Sequence, residues 1–146
     1  MELTFRSVTS SDTDAVCALW ASAGLGGGLA TDRKEIAFRL RNNDGFFILA
    51  FRTEDPDTPV AVAMGCNDDH RGWLKRVAVA PTLQGNGIGE ALITEVEHRF
   101  LDAGIEHLRL SVWSQNESAV AFWQTQGYEE LPEIRYFVKR LDSDEP

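Results

Sequence analysis

The chain has 146 residues, of which 43% are hydrophobic and 25% charged, with a formal net charge of −9. The length fits one globular domain with a core of its own. The acidic balance argues against a nucleic-acid partner, which needs a clustered basic face, and no apolar run approaches the roughly 20 residues that cross a bilayer.

The N-terminal part predicts a strand, a helix and a flexible loop. Residues 3–8 alternate apolar and polar side chains, as a short strand does. A helix capped by Ser10 or Ser11 follows, and it ends at a glycine-rich loop at residues 24–28. This loop suits either a substrate lid or a mobile connection.

A second helix and three strands come next. The helix opens at Thr31 or Asp32. Strands are predicted at residues 46–51, 60–65 and 73–79, and the polar, proline-containing segment between the first two is typical of a hairpin connection.

The C-terminal half continues the alternation of helices and strands. We predict a long amphipathic helix from Ile88 to a cap at Gly104, a strand at 108–113, a helix at 117–126, and one bent or two short strands at 128–141.

These elements predict an α+β fold. We expect a single domain over residues 1–141, with a mixed, mainly antiparallel sheet flanked by about four helices, and a disordered tail at 142–146.

The two cysteines, Cys17 and Cys66, stand in apolar segments and lack metal-binding or CxxC spacing. We therefore predict two buried thiols, no disulfide framework and no metal site. Because the N-terminus lacks the apolar region of a signal peptide, we expect a cytoplasmic protein without membrane association.

Residues 77–92 carry the chemistry, because an apolar strand and a glycine-dense turn lead directly into a helix. Backbone N–H groups at residues 84–89, here named the anion cradle, lack helical partners and meet the positive end of the helix dipole, which favours a phosphate or pyrophosphate. Its glycines let the backbone approach a ligand closely. A plain glycine-rich turn is the alternative.

Two other phosphate motifs fail on spacing. A P-loop needs Lys and then Ser or Thr after the last glycine, but Gly89 is followed by Glu90 and Ala91. The dinucleotide fingerprint needs a glycine or alanine where Glu90 stands, and a parallel βαβ unit.

This segment contains Val77, Val79, Pro81, Gln84, Gly87 and Gly89. They match the acetyl-CoA signature of the GNAT superfamily of N-acetyltransferases, which the chain resembles in its order of elements along essentially its full length. Residues 116–128 are similar to the second cofactor segment of that superfamily. Residues 64–72 resemble the small bacterial YpeA-type acetyltransferases.

The resemblance implies an N-acetyltransferase that moves an acetyl group from acetyl-CoA to a primary amine by direct attack in a ternary complex. The acceptor it implies is a small-molecule amine or a protein N-terminus, bound by residues 20–33 and 129–138, on a monomer or homodimer. A non-catalytic acetyl-CoA sensor or regulatory module with the same fold is the alternative.

The resemblance also implies a cofactor site. The strand with Val77 and Val79 splays from the next strand, the pantetheine arm pairs in the gap, and an N–H there polarises the thioester carbonyl. Asn116 either binds the same arm or only caps its own helix. The implied cofactor-binding residues are Val77, Val79, Gln84, Gly85, Asn86, Gly87, Ile88, Gly89, Asn116 and Trp123.

The general acid and the general base of the reaction are less well defined than the cofactor site. Trp123 stands where many members carry a tyrosine that protonates the leaving thiolate, and an indole N–H is too weak an acid for this. Either the thiolate leaves unassisted, or Tyr128 or Tyr136 serves. His70, beside two aspartates, is the candidate general base, with a solvated loop histidine as the alternative.

Overall fold

A computed structural model describes residues 1–42 and 44–142 of the chain. The chain divides into two compact units, Met1–Ser111 and Val112–Pro146. Of the predicted disordered tail at 142–146, all but Asp142 lies outside the described residues.

The first unit is built on a five-stranded sheet. Its strands are β1 (Leu3–Ser7), β2 (Phe47–Arg52), β3 (Asp55–Asp68), β4 (Arg71–Val79) and β5 (Leu108–Arg109). They lie in chain order across the sheet, and every neighbouring pair is antiparallel except β4 and β5, which are parallel. The predicted α+β fold with a mixed, mainly antiparallel sheet is confirmed.

Four α-helices accompany the strands within the described residues, the number expected from the sequence. They are α1 (Thr13–Ser22), α2 (Leu29–Arg41), α3 (Ile88–Asp102) and α4 (Glu117–Thr125), of which α4 belongs to the second unit. None of the helices described is long and apolar enough to cross a membrane.

Helices cover both faces of the sheet in the first unit. On one face, Trp20 of α1 and Ile36 of α2 pack in a buried cluster with apolar residues of β2, β3 and β4. The apolar stripe of α3 is also buried, and its Phe100 stacks on Phe46 with ring centroids 3.9 Å apart. Cys17 and Cys66 are free and buried, as predicted.

Three strand boundaries were predicted wrongly. β3 begins at Asp55, because the proline-containing segment pairs with β2 across irregular registers, where prolines are tolerated. β5 has only two residues of the predicted 108–113. Residues 128–142 form no strand among the described residues, and apolar side chains there, such as Tyr136 and Phe137, are exposed. Alternation alone therefore did not define these strands, because a strand also needs a paired backbone.

Candidate active site

The anion cradle lies at the start of α3. Gly87 is the N-cap residue, with φ +77°, and Gly85 has φ +86°, so both occupy the left-handed region that favours glycine. A Cβ built on either residue meets no heavy atom within 4 Å, so the space above the turn is open.

The helix start leaves peptide N–H groups for a ligand. The N–H of Ala91 donates to the carbonyl of Gly87, which closes the first turn of α3. The N–H groups of the three residues before Ala91 therefore have no partner within the helix, and they lie at the positive end of its dipole. The Gln84 N–H, which was predicted to be unpaired as well, instead donates to the Pro81 carbonyl at 3.4 Å. Helix starts with unpaired N–H groups of this kind are suited to bind anions.

Two side chains of the cradle brace the turn itself. The Asn86 amide Nδ2 donates to the Leu83 carbonyl at 2.9 Å. The Gln84 amide Nε2 donates to the Val79 carbonyl at 3.3 Å, which ties the cradle to the end of β4. Ile88 is buried and anchors the first turn of α3 in the core.

The outer edge of β4 is open over its second half within the first unit. β5 pairs only with Gly72 and Trp73 of β4. The Ala80 N–H donates to the Val60 carbonyl of β3, so strand alternation turns the N–H and carbonyl of Val79, and the carbonyl of Val77, toward the open edge. The Val79 N–H is available there, whereas its carbonyl already accepts one bond from the Gln84 amide. Peptide groups of an extended ligand can pair at such an edge, and the pairing of a pantetheine arm there stays a prediction.

A bulge interrupts β4 just before this edge. Between the pairs Val62–Ala78 and Met64–Lys75, β3 has one residue and β4 has two, which are Arg76 and Val77. Arg76 has φ +48°, a rare backbone conformation for a residue with a side chain. Bulges of this kind are frequent beside active sites, where they redirect groups of the strand.

The Arg76 side chain lies in a network that the sequence did not predict. Its guanidinium is 2.7 Å from the Asp32 carboxylate, 3.3 Å from that of Glu35, and 4.5 Å from the centroid of the Trp20 ring. Burial alone would raise the pKa of Asp32, but hydrogen bonds from Arg76 and from the Gly27 N–H lower it, so the carboxylate is ionised. The sequence singled out Asp32 only as a possible helix start, and this was wrong, because α2 begins at Leu29 and Asp32 lies in its first turn.

A concavity of about 330 Å³ lies beside the glycine loop at residues 24–28. Most of the residues that line it belong to the segment at residues 20–33, whose role in acceptor binding stays a prediction. Its lining residues are Cys17, Ala21, Gly24, Gly26, Gly28, Leu29 and Asp32. Burial and the negative charge of Asp32 raise the pKa of the Cys17 thiol, so the thiol is uncharged at neutral pH.

His70 lies away from the cradle. It is exposed, in the two-residue turn between β3 and β4, and Val77 follows seven residues later along the strand. At about 3.3 Å per residue the separation is roughly 20 Å, beyond direct proton transfer. The structure does not bring His70 together with Val77 and Val79. Among the described residues, no three His, Cys, Asp or Glu side chains are placed to hold a metal ion.

Asn116 and Trp123 belong to the second unit. The Asn116 side-chain oxygen accepts the Ala119 N–H at 3.1 Å, so the predicted role as an N-cap is present. Trp123 is buried, and the rings of Phe122 and Tyr128 pack edge-on against it at 5.1 Å. The roles of Asn116 and Trp123 toward the cofactor stay predictions.

This α+β sheet, with a glycine-rich helix start beside an open strand edge, has the architecture expected of an acyl-CoA-dependent transferase. The sequence profile described as "Acetyltransferase (GNAT) family" matches residues 14–128. The chain therefore belongs to the GNAT acetyltransferase family, and the predictions of an acyltransferase and of acetyl-CoA as its cosubstrate are confirmed.

Two curated relatives are similar to nearly the whole chain. An acetyltransferase of Sodalis glossinidius is 26% identical over 140 residues, covering 96% of this chain and 96% of its own. An acetyltransferase of Pectobacterium atrosepticum is 28% identical over 139 residues, covering 95% of this chain and 96% of its own.

Two solved structures share the fold. Aminoglycoside N-acetyltransferase AAC(6')-Iy, in complex with the bisubstrate analogue CoA-S-monomethyl-acetylneamine, has a TM-score of 0.77 and 14% identity over 97% of this chain and 100% of its own. The ribosomal-protein-S18-alanine N-acetyltransferase of Escherichia coli has a TM-score of 0.73 and 21% identity over 88% of this chain and 79% of its own.

Proposed function

We propose that this protein transfers an acetyl group from acetyl-CoA to a primary amine by direct attack in a ternary complex. The observation that carries the proposal is the hydrogen bond from Gln84 to the Val79 carbonyl, which joins the anion cradle to the open edge of β4. A site for a pyrophosphate thus adjoins a site for the amide groups of a pantetheine arm.

Each part of this site has a role in the proposed reaction. The N–H groups of the cradle bind the pyrophosphate, and Val79 pairs with the pantetheine amides as a neighbouring strand would. The N–H of Val77 donates to the thioester oxygen, where negative charge develops when the amine attacks.

Bond making and breaking need few side chains. The amine nitrogen attacks the thioester carbon, the C–S bond breaks, and the sulfur leaves as a thiolate. A CoA thiol resembles cysteine, with a pKa of about 8.5, so the thiolate departs without a general acid such as the tyrosine that Trp123 replaces. The ammonium acceptor loses one proton to water before attack, which favours turnover at alkaline pH. The attacking nitrogen loses a second proton to water as the tetrahedral intermediate collapses to the amide.

The acceptor we propose is a small-molecule amine or a protein N-terminus. The names of the two solved structures support both kinds, since one is an aminoglycoside acetyltransferase and the other acetylates an alanine of a ribosomal protein. The net charge of −9 favours a cationic acceptor, because it raises the local concentration of cations.

Calorimetric titration with acetyl-CoA, with ADP as the control ligand, tests the donor site. Micromolar binding of acetyl-CoA that ADP does not reproduce supports the proposal, and equal binding of ADP would indicate a general phosphate site. Initial rates across a panel of aminoglycosides, polyamines and N-terminal peptides then test transfer. Intersecting double-reciprocal lines are expected of a ternary complex, parallel lines would indicate a covalent acyl-enzyme, and tight binding without turnover would indicate a sensor.

A further inference from the structure

We infer that Asp32, Arg76 and Trp20 form a positioning network, which holds the bulge of β4 in the conformation that acetyl transfer needs. The inference rests on the proposed function, in which the Val77 N–H donates to the thioester oxygen. Arg76 is assigned no contact with the substrates. Trp20 and Asp32 belong to the segment at residues 20–33 that is expected to bind the acceptor, and all three residues also act on the backbone of β4. Their effect on the reaction passes through the peptide group between Arg76 and Val77.

Trp20 fixes this peptide directly. Its indole Nε1 donates to the Arg76 carbonyl at 2.9 Å, and Trp20 is completely buried between α1 and the sheet. The Arg76 carbonyl and the Val77 N–H belong to one planar trans peptide and point in opposite directions. A bond that holds the carbonyl on the Trp20 side therefore also sets the direction of the Val77 N–H.

The bulge needs stabilising contacts because Arg76 has φ +48°, a backbone conformation that is disfavoured for residues other than glycine. Without contacts that stabilise it, the strand relaxes toward a regular backbone and the peptide turns. The guanidinium supplies these contacts through its position over the Trp20 ring and its bond to Asp32.

Asp32 anchors the guanidinium at a fixed point. The carboxylate is 4% exposed, and a buried carboxylate is stable only with partners. Its Oδ1 accepts two hydrogen bonds, one from the Arg76 guanidinium at 2.7 Å and one from the Gly27 N–H at 3.0 Å. The same oxygen therefore connects the bulge to the glycine loop that lines the concavity.

The chain contains a second network of the same chemistry that does not involve β4. Asp12 is buried, and its carboxylate accepts two hydrogen bonds from the Arg6 guanidinium at 2.8 and 3.0 Å. It also accepts a hydrogen bond from the Thr9 N–H at 2.8 Å. Arg6 lies over the ring of Phe51 at 4.8 Å, as Arg76 lies over that of Trp20. Asp12→Asn is thus a matched control for Asp32→Asn, because both remove the charge of a buried carboxylate that an arginine and a backbone N–H share.

The experiment compares wild type, Asp32→Asn, Trp20→Phe and Asp12→Asn. Thermal unfolding, the calorimetric Kd for acetyl-CoA, and kcat and KM for the best acceptor are measured for each. We expect Asp32→Asn and Asp12→Asn to lower Tm similarly. Asp32→Asn and Trp20→Phe should lower kcat at least tenfold with Kd for acetyl-CoA within threefold, whereas Asp12→Asn should keep kcat within twofold.

Trp20→Phe keeps an aromatic ring and removes the indole N–H, so it tests the bond to the Arg76 carbonyl even if Asp32→Asn does not fold. Equal kcat values in Trp20→Phe and Asp12→Asn would overturn the inference and leave the proposed function intact. A rise in Kd as large as the fall in kcat would overturn it too, because the network would then act on cofactor binding. Failure of the wild type to acetylate any amine would instead refute the proposed function.

Discussion

Replacing Gly87 with alanine separates ligand binding from backbone strain, because Gly104 offers a matched site. Gly87 starts α3 with φ +77°, and Gly104 follows its end with φ +83°. A Cβ at either position meets no heavy atom within 4 Å. Alanine therefore brings the same left-handed strain at both, about 1–2 kcal/mol, without a clash.

Only the methyl group at Gly87 stands where the pyrophosphate approaches in the proposed site. Displacing the phosphate from one peptide N–H loses a charge-assisted hydrogen bond, about 1.5–3 kcal/mol when the partner is charged. Because 1.4 kcal/mol corresponds to a tenfold change in Kd, Gly87→Ala should weaken acetyl-CoA binding by about 10–100-fold. Gly104→Ala should leave it unchanged.

Titration calorimetry with acetyl-CoA measures both Kd values, and thermal unfolding measures the shared strain. At about 2–4 °C per kcal/mol for a chain of this size, both variants should lose roughly 2–8 °C in Tm. Kd values that stay at the wild-type level in both Gly87→Ala and Gly104→Ala would refute the assignment of residues 84–89 as the anion cradle. A loss of binding in both would attribute the effect to strain in α3.

Three further substitutions test particular contacts. Gly65→Ala should lower the free energy of unfolding by about 1–3 kcal/mol in urea titrations, since its Cβ would stand 2.7 Å from the Phe46 carbonyl oxygen; unchanged stability would contradict this packing. A hydrogen bond from Arg6 lowers the pKa of Asp12 from 3.8 to about 2. The contribution of this ion pair to the free energy of unfolding is therefore present above pH 4 and is lost as the pH falls through 2. Asp12→Asn should therefore lower the free energy of unfolding at pH 7 and much less at pH 2, and an equal loss at both would argue against the ion pair. His70→Ala should leave the pH–rate profile unchanged because His70 is remote from Val77, and a loss confined to pH values below the pKa of the acceptor would support His70 as the base.

The sequence by itself determined the features that depend on neighbouring residues. The burial of α3 followed from apolar residues four positions apart, and its start followed from the glycines of the cradle, because helix hydrogen bonds and turn conformations join residues close in the chain. Together with residues 116–128, this local signature was sufficient to predict the family.

Tertiary structure decided which strands pair and what holds the bulge. Residues 55–59 look like a turn in the sequence yet extend β3, because β2 supplies partners for their backbone. The network at the bulge joins Arg76 to Asp32, 44 positions earlier, and to Trp20, 56 positions earlier. No local pattern encodes such bonds, since they form only after α1, α2 and β4 have packed together.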